Sequence, residues 1–299
     1  MITLRHRTGN VAVAHPRPTW FASGNAGRRI TIAVMTQTVL LAIDTSTEFC
    51  SVALLSADAS STGPTAPAPQ VWARHEATGA VSSTRLLPAI RELFAEAGLT
   101  LADCDAIAFG AGPGSFTGLR TATGVAQGLA FGLDVPVVPV GTLLACAESA
   151  RLRAPSTTRV LAALDARMDE VYWADYAWDV EAGDWRVIHP ASLDTPGRLV
   201  LPDVPFTLAG NAAAAFGARL EASGRAEVID GEAVPHALPV AIAGLRAFRA
   251  GRTVPADQAA PEYIRDKVAQ TTAERMAAKG AQGSAQSAAP AAVQGEGGQ

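Results

Sequence analysis

The stretch from Ala106 to Gly132 limits the fold more than any other part of the chain. Ala106-Ile107-Ala108-Phe109 has the character of a buried strand and runs straight into Gly110-Ala111-Gly112-Pro113-Gly114-Ser115-Phe116-Thr117-Gly118-Leu119-Arg120, after which a helix extends to about Phe131. The turn lacks the Gly-Lys-Ser/Thr ending of a Walker phosphate loop and does not match the dinucleotide fingerprint. Its glycines allow close approach of either backbone or ligand, and free amides at the helix start can hold an anion. Two readings of Gly112 and Gly114 therefore stand side by side: a tight strand-to-helix turn, or a cradle for a ligand.

Within the helix, Gly124, Gly128 and Gly132 follow at four-residue spacing, and so do Ala122, Ala126 and Ala130. Glycine inside a helix costs about 0.5–1 kcal/mol relative to alanine. That cost is intelligible if the glycine face meets another helix at short range, supplied by this chain or by a partner.

The flanking segments fill out a mixed α/β pattern. Val39–Ile43 and Cys50–Leu55 are apolar strands joined through Asp44-Thr45-Ser46-Thr47, a connection rich in groups that bond backbone. A Ser/Thr/Ala/Pro segment to Gln70 reads as a long surface loop before a third strand, Val71–Glu76. Leu86, Leu87, Ile90, Leu93, Phe94 and Ala97 recur at three- and four-residue spacing, which predicts a helix over Ser82–Ala97 ended by Gly98. Pro88 is expected in or near its first turn. Val135–Val140 is a strand and Thr142 opens a helix. A boundary at Arg151–Thr158 separates a domain of residues 35–150 from one of residues 151–279. The second opens with strands at Arg159–Asp165 and Glu170–Trp178, then Phe206–Ala209. A helix is expected at Asn211–Ala222 and another at Val234–Ala250. The halves share an order of strand, acidic turn, strand and later helix, a hint of duplication.

Residues 1–34 hold five arginines and no acid, and Met35 immediately precedes the first strand pattern. They read as a non-native or disordered extension with Met35 as the natural start, and no apolar core with a cleavage site marks them as a leader. Residues 280–299, mostly Ala, Gln, Gly, Ser and Pro, are expected to be disordered, because they carry too little apolar surface to offset ordering entropy.

Charge and side-chain chemistry exclude several functions. A formal charge of -4 offers no general attraction for nucleic-acid phosphates, so extensive autonomous RNA binding is not expected. No apolar run approaches 18 residues, so no membrane span is expected. Cys50, Cys104 and Cys146 are widely spaced in apolar surroundings and read as buried thiols. The five histidines form no H-E-x-x-H pair, and Ser115 is not within G-x-S-x-G, which argues against metalloprotease or serine hydrolase chemistry. Asp44, at the end of a buried strand with Thr45 and Ser46 after it, can position magnesium or water beside a phosphate, or can simply close a turn. Asp165, followed by Ala166-Arg167-Met168, occupies the similar place in the second half, where Arg167 can face a phosphate or simply pair with an acid such as Asp169.

Leu41-Ala42-Ile43-Asp44-Thr45-Ser46, Gly112-Pro113-Gly114-Ser115-Phe116-Thr117-Gly118-Leu119-Arg120, Asp165-Ala166-Arg167-Met168-Asp169-Glu170-Val171-Tyr172 and Pro261-Glu262-Tyr263-Ile264-Arg265 together resemble the TsaB (YeaZ) family over roughly residues 35–275. The resemblance implies an α/β, actin-like ATPase fold (ASKHA, ribonuclease H-like), with two domains of mixed sheet flanked by helices. It implies a cytoplasmic, non-catalytic scaffold and activator of TsaD, which transfers a threonylcarbamoyl group to adenosine 37 of tRNAs reading codons that begin with A. TsaD would be bound directly, TsaE would complete the machinery, and tRNA would be met through the complex rather than alone. A homodimer is the other pairing the resemblance implies. No tightly bound cofactor or metal is expected; the complex uses ATP, and weak nucleotide binding would fall to a degenerate cleft at Asp44, Thr45, Ser46, Gly112, Gly114 and Asp165. Leu86, Leu87, Ile90, Phe94, Gly124 and Gly128 are the expected partner-binding residues. The chain departs from many relatives in two places: a histidine is missing near Val81-Ser82, and the Ser56–Gln70 loop is long. An autonomous ATP-dependent kinase or ATPase of the same superfamily is the rival function, ahead of a peptidase.

Overall fold

The computed structural model describes residues 37–59 and 67–265. The expected N-terminal extension, the C-terminal tail and the middle of the Ser56–Gln70 loop lie outside the described residues. All the elements below belong to one compact unit that ends at Ile264.

That unit contains two five-stranded sheets with the same plan. In the first, β1 (Gln37–Asp44) is central; β2 (Phe49–Asp58) and β3 (Gln70–Ala77) run antiparallel on one side, and β4 (Ala106–Gly112) and β5 (Val137–Gly141) run parallel on the other. In the second, β6 (Arg159–Asp165) is central, with β7 (Val171–Asp179) and β8 (Asp184–Asp194) antiparallel, and β9 (Thr207–Ala209) and β10 (Val228–Asp230) parallel. The duplication hinted at in the sequence is thus a duplication of topology.

Strand periodicity assigns each sheet two buried faces. Val39, Leu41 and Ile43 pack with α1 (Ser82–Ala97) and α2 (Phe116–Leu133), while Leu40 and Ala42 pack with α6 (Ala237–Arg249). In the second sheet, Val160, Ala162 and Leu164 meet α3 (Thr142–Arg153), and Leu161 and Ala163 meet α4 (Ala212–Phe216) and the chain around α5 (Glu221–Arg225). Since α3 and α6 also pack on each other, the layers run helix, sheet, helix, sheet, helix. α6, counted by sequence with the second half, therefore lies against the first sheet.

α1 has the expected span, and Gly98 ends it at φ 68 with Leu99 N–H reaching Phe94 O at 3.0 Å. Pro88 sits in its second turn rather than its first, because Ser82 opens the α-helix directly after a 3₁₀ turn at Gly79–Val81. The single helix expected over Asn211–Ala222 is instead α4, a 3₁₀ turn at Gly217–Arg219 and α5; Gly217 takes φ 55, ψ -130, which stops α4. β8 and β10 are elements the sequence reading did not contain. Among the described residues no helix is long and apolar enough to cross a membrane.

Candidate functional site: the inter-lobe cleft and the outer face of α2

A cavity of ≈ 530 Å³ opens where the ends of β1 and β4 face the end of β6. Of the residues expected there, Thr45, Ser46, Gly114 and Asp165 line it. Asp44 and Gly112 do not, and both depart from the sequence expectation for a physical reason.

Asp44 is 1% exposed, and its Oδ1 accepts hydrogen bonds from Ser46 N–H at 3.1 Å and Ser46 Oγ at 2.9 Å. Its Oδ2 is buried without a partner, over Gly110, where an added Cβ would lie 1.9 Å away. Burial pushes the carboxyl up to about 6, against the pull of the Ser46 bonds. The carboxylate thus closes the β1 turn beneath the cleft.

Gly112, at φ 125, faces the chain after α6: a Cβ there would come 2.5 Å from Glu262 O, and Glu262 N–H donates to Ala111 O at 2.7 Å. The other glycines of the run serve the same kind of approach. Cβ atoms at Gly114 and Gly118 would lie 2.7 Å from Ser46 O and 1.7 Å from Thr45 O. Ser115 N–H donates to Ser46 O at 2.8 Å, Thr45 Oγ1 to Gly118 O at 2.6 Å, and Gly118 N–H to Ser115 Oγ at 3.4 Å. Of the two readings, the tight turn accounts for these glycines; the turn's polar groups are largely engaged with the β1–β2 connection.

Across the cavity, Asp165 N–H is held by Asn211 Oδ1 at 2.9 Å, and Asp165 Oδ1 accepts Arg167 N–H at 2.8 Å. Arg167, Met168 and Asp169 all have positive φ (61, 55 and 62), an uncommon run for non-glycine residues, and Asp169 is held by Arg219 at 2.6 Å. This turn brings Arg167 to the cavity wall, one of the two positions the sequence left open for it, beside Tyr172 and Asn211, two lining residues that sequence reasoning did not assign to the site. Hydroxyl groups dominate the opposite wall, with Thr45, Ser46, Ser115, Thr117 and Thr121 all on it.

The expected partner residues divide. Leu86, Ile90 and Phe94 are buried in the core under the first sheet, so they are not available to another molecule, contrary to the sequence expectation. An amphipathic stripe requires a covering surface, and here the chain's own sheet supplies it. Leu87 is 48% exposed. On α2, Ala122, Ala126 and Ala130 point into the core, while Gly124, Gly128 and Gly132 point outward with nothing within 4 Å of an added Cβ. Phe131, on the same outer side, is 83% exposed.

Cys50, Cys104 and Cys146 are buried free thiols; desolvation pushes Cys50 and Cys104 up to about 11, and Cys146 still higher. Among the described residues no group of three or more His, Cys, Asp or Glu could hold a metal ion. The Arg120 motif and the Tyr263 motif meet: Arg120 Nε donates to Tyr263 Oη at 3.1 Å, and the guanidinium lies 3.9 Å from the Phe116 ring centroid.

A family model described as TsaD, tRNA N6-adenosine threonylcarbamoyltransferase, matches residues 76–273. The tRNA threonylcarbamoyladenosine biosynthesis protein TsaB of Escherichia coli is 37% identical over 77% of this chain and 96% of its own. The protein of the same name from Haemophilus influenzae is 40% identical over 56% of this chain and 68% of its own. The solved structure of YeaZ from Pseudomonas aeruginosa is 38% identical, covers 76% of this chain and 99% of its own, and superposes with a TM-score of 0.63.

Proposed function

Because the chain belongs to the TsaB (YeaZ) family, we propose that it takes part in tRNA threonylcarbamoyladenosine biosynthesis, as a non-catalytic scaffold and activator that binds TsaD directly. The observation that carries this reading is the outward glycine face of α2. Gly124 and Gly128 cost helix stability and face away from the chain's own packing, which Ala122, Ala126 and Ala130 serve on the opposite side. A face of that shape fits a helix laid close against it, with Phe131 as a large apolar neighbour. TsaE and tRNA join through the complex, and a second copy of this chain competes for the same face when TsaD is absent. The setting is cytoplasmic.

No tightly bound cofactor is part of this reading, and ATP is consumed elsewhere in the complex. The buried position of Asp44, and a glycine turn engaged with its own backbone, leave the cleft poorly equipped for a metal–triphosphate. The same two features weigh against an autonomous kinase.

Gly128→Leu tests the proposal. Its side chain enters open space, so the monomer should fold, as checked by circular dichroism and chemical denaturation. Association with TsaD and tRNA modification in the reconstituted system should both fall at least tenfold. A folded variant that binds TsaD as the parent does would overturn the assignment of this face, and brisk ATP turnover by the isolated chain would favour the kinase reading.

A further inference from the structure

α3 is seated under the second sheet and α6 under the first, so the packing of these two helices joins the lobes. Charge pins that junction. Glu148 of α3, with a side chain 3% exposed, accepts from Arg246 Nη1 of α6 at 3.1 Å through Oε1. Its Oε2 accepts from Arg246 Nη2 and from the Trp185 indole, the latter at 2.8 Å. Arg246 Nε continues to Asp184 Oδ1 at 3.0 Å, at the start of β8, and Arg252 donates to Asp184 Oδ2 at 2.6 Å.

Both ends of this chain of bonds are anchored. α6 lies so close to the first sheet that a Cβ on Gly244 would come 2.7 Å from the Ala108 Cβ. Asp184 begins a strand paired along β7 in the second sheet. A cleft between two lobes can close by shear, the sliding of packed helices past one another. Sliding α3 along α6 would pull a forked guanidinium off a buried carboxylate and leave the carboxylate without its partner, a costly event away from water.

We propose that the Glu148–Arg246–Asp184 network is a lock that holds the two lobes at one opening, so that the cleft does not close on a small ligand. The inference is independent of which partner binds α2, and it makes the molecule a platform of fixed shape.

Spin labels at Leu87→Cys on α1 and Ala215→Cys on α4, both exposed, report the distance between lobes by double electron–electron resonance. The three native thiols are buried, and the chain without added cysteines serves as the labelling control. With the network intact, one narrow distance is expected, unchanged by excess magnesium–ATP. Glu148→Gln should add a second distance or broaden the first. Asp184→Asn, at a half-buried position, should do the same and decides the matter if the Glu148 variant does not fold. Two distances or an ATP-driven shift in the intact protein overturn the lock, and so does one narrow distance in every folded variant.

Discussion

The unpartnered Oδ2 of Asp44 lies over the bare Cα of Gly110, 1.9 Å from where a Cβ would stand. The contact couples a charge problem to a packing problem at the root of the cleft. In the folded protein the carboxyl is raised from 3.8 to about 6, because burial disfavours the ionised form. The folded state then holds this proton more tightly than the unfolded chain. The carboxyl therefore costs stability above pH 6, about 3 kcal/mol in full, and the cost is relieved as pH falls from 6 towards 4. Asp44→Asn keeps an acceptor for Ser46 and removes the charge. Its melting temperature should exceed the parent's at pH 8, with the gap closing by pH 4.5. Parallel pH profiles for the two proteins would show that Asp44 titrates as an ordinary carboxyl.

Glycines on either side of α2 should respond to alanine with opposite signs. At Gly118 the new methyl would meet the Thr45 carbonyl oxygen at 1.7 Å, backbone against backbone, so something in the turn must move. Gly118→Ala is expected to lose at least about 1–3 kcal/mol, the usual range for overpacking. At Gly128 the methyl meets nothing, and Gly128→Ala should gain about 0.5–1 kcal/mol from helix propensity. Urea denaturation of the two variants measures both. A destabilised Gly128→Ala would mean that the outer face of α2 is packed within the monomer.

These sites also mark what sequence reading could reach. The span of α1 was legible because an apolar 3–4 repeat ends at a glycine able to adopt φ 68. The same repeat says that Leu86, Ile90 and Phe94 are covered, and is silent on whether the cover is this chain's sheet or another molecule. Thr45, Ser46 and Asp165 were legible as polar groups at strand ends, and Gly114 as part of the glycine run after β4. Asp44 sits in the same motif, yet its side chain turns under the floor, which only the close fit to Gly110 explains. Arg167 reaches the cavity through three consecutive left-handed residues, a geometry that Arg, Met and Asp do not announce. β8 carries Pro190 and several charges, as an edge strand tolerates, and three-residue β10 exists only through its pairing with β9.

A second pH effect should run against that of Asp44. His75 on β3 stacks on Phe49 at 4.3 Å and lies 5.3 Å from His236, the residue that immediately precedes α6. Burial lowers both histidines below 6.5; Glu48 pulls His75 the other way, while His75 and Arg153 push His236 further down. The unfolded chain therefore takes up these protons first, and the pair loses stability as pH falls below about 6.5. His75→Phe keeps a ring against Phe49 and removes one titrating group. Its stability should fall less than the parent's between pH 7 and 5. An equal fall in both proteins would remove His75 from the account of acid sensitivity.

The segment after α6 should detach from one end when Gly112 is changed. Val254 pairs with Val137, with N–H to O distances of 2.9 Å in both directions, and Gln127 Nε2 donates to Ala259 O at 2.8 Å. The far end depends on Glu262 N–H reaching Ala111 O at 2.7 Å, beside a Gly112 whose Cβ would stand 2.5 Å from Glu262 O. Gly112→Ala brings two penalties, the contact itself and a side chain at φ 125. Relief is available by lifting Glu262 and Tyr263 away, which also breaks the Arg120–Tyr263 bond. Hydrogen exchange at individual amides separates the two ends. The Glu262 amide should exchange at least tenfold faster in the variant, while the Val254 amide, held by its own pair of bonds, keeps its protection. Equal acceleration at both would point to general loss of stability, and an unchanged Glu262 would mean that the strain is absorbed by the β4–α2 turn and not by the segment after α6.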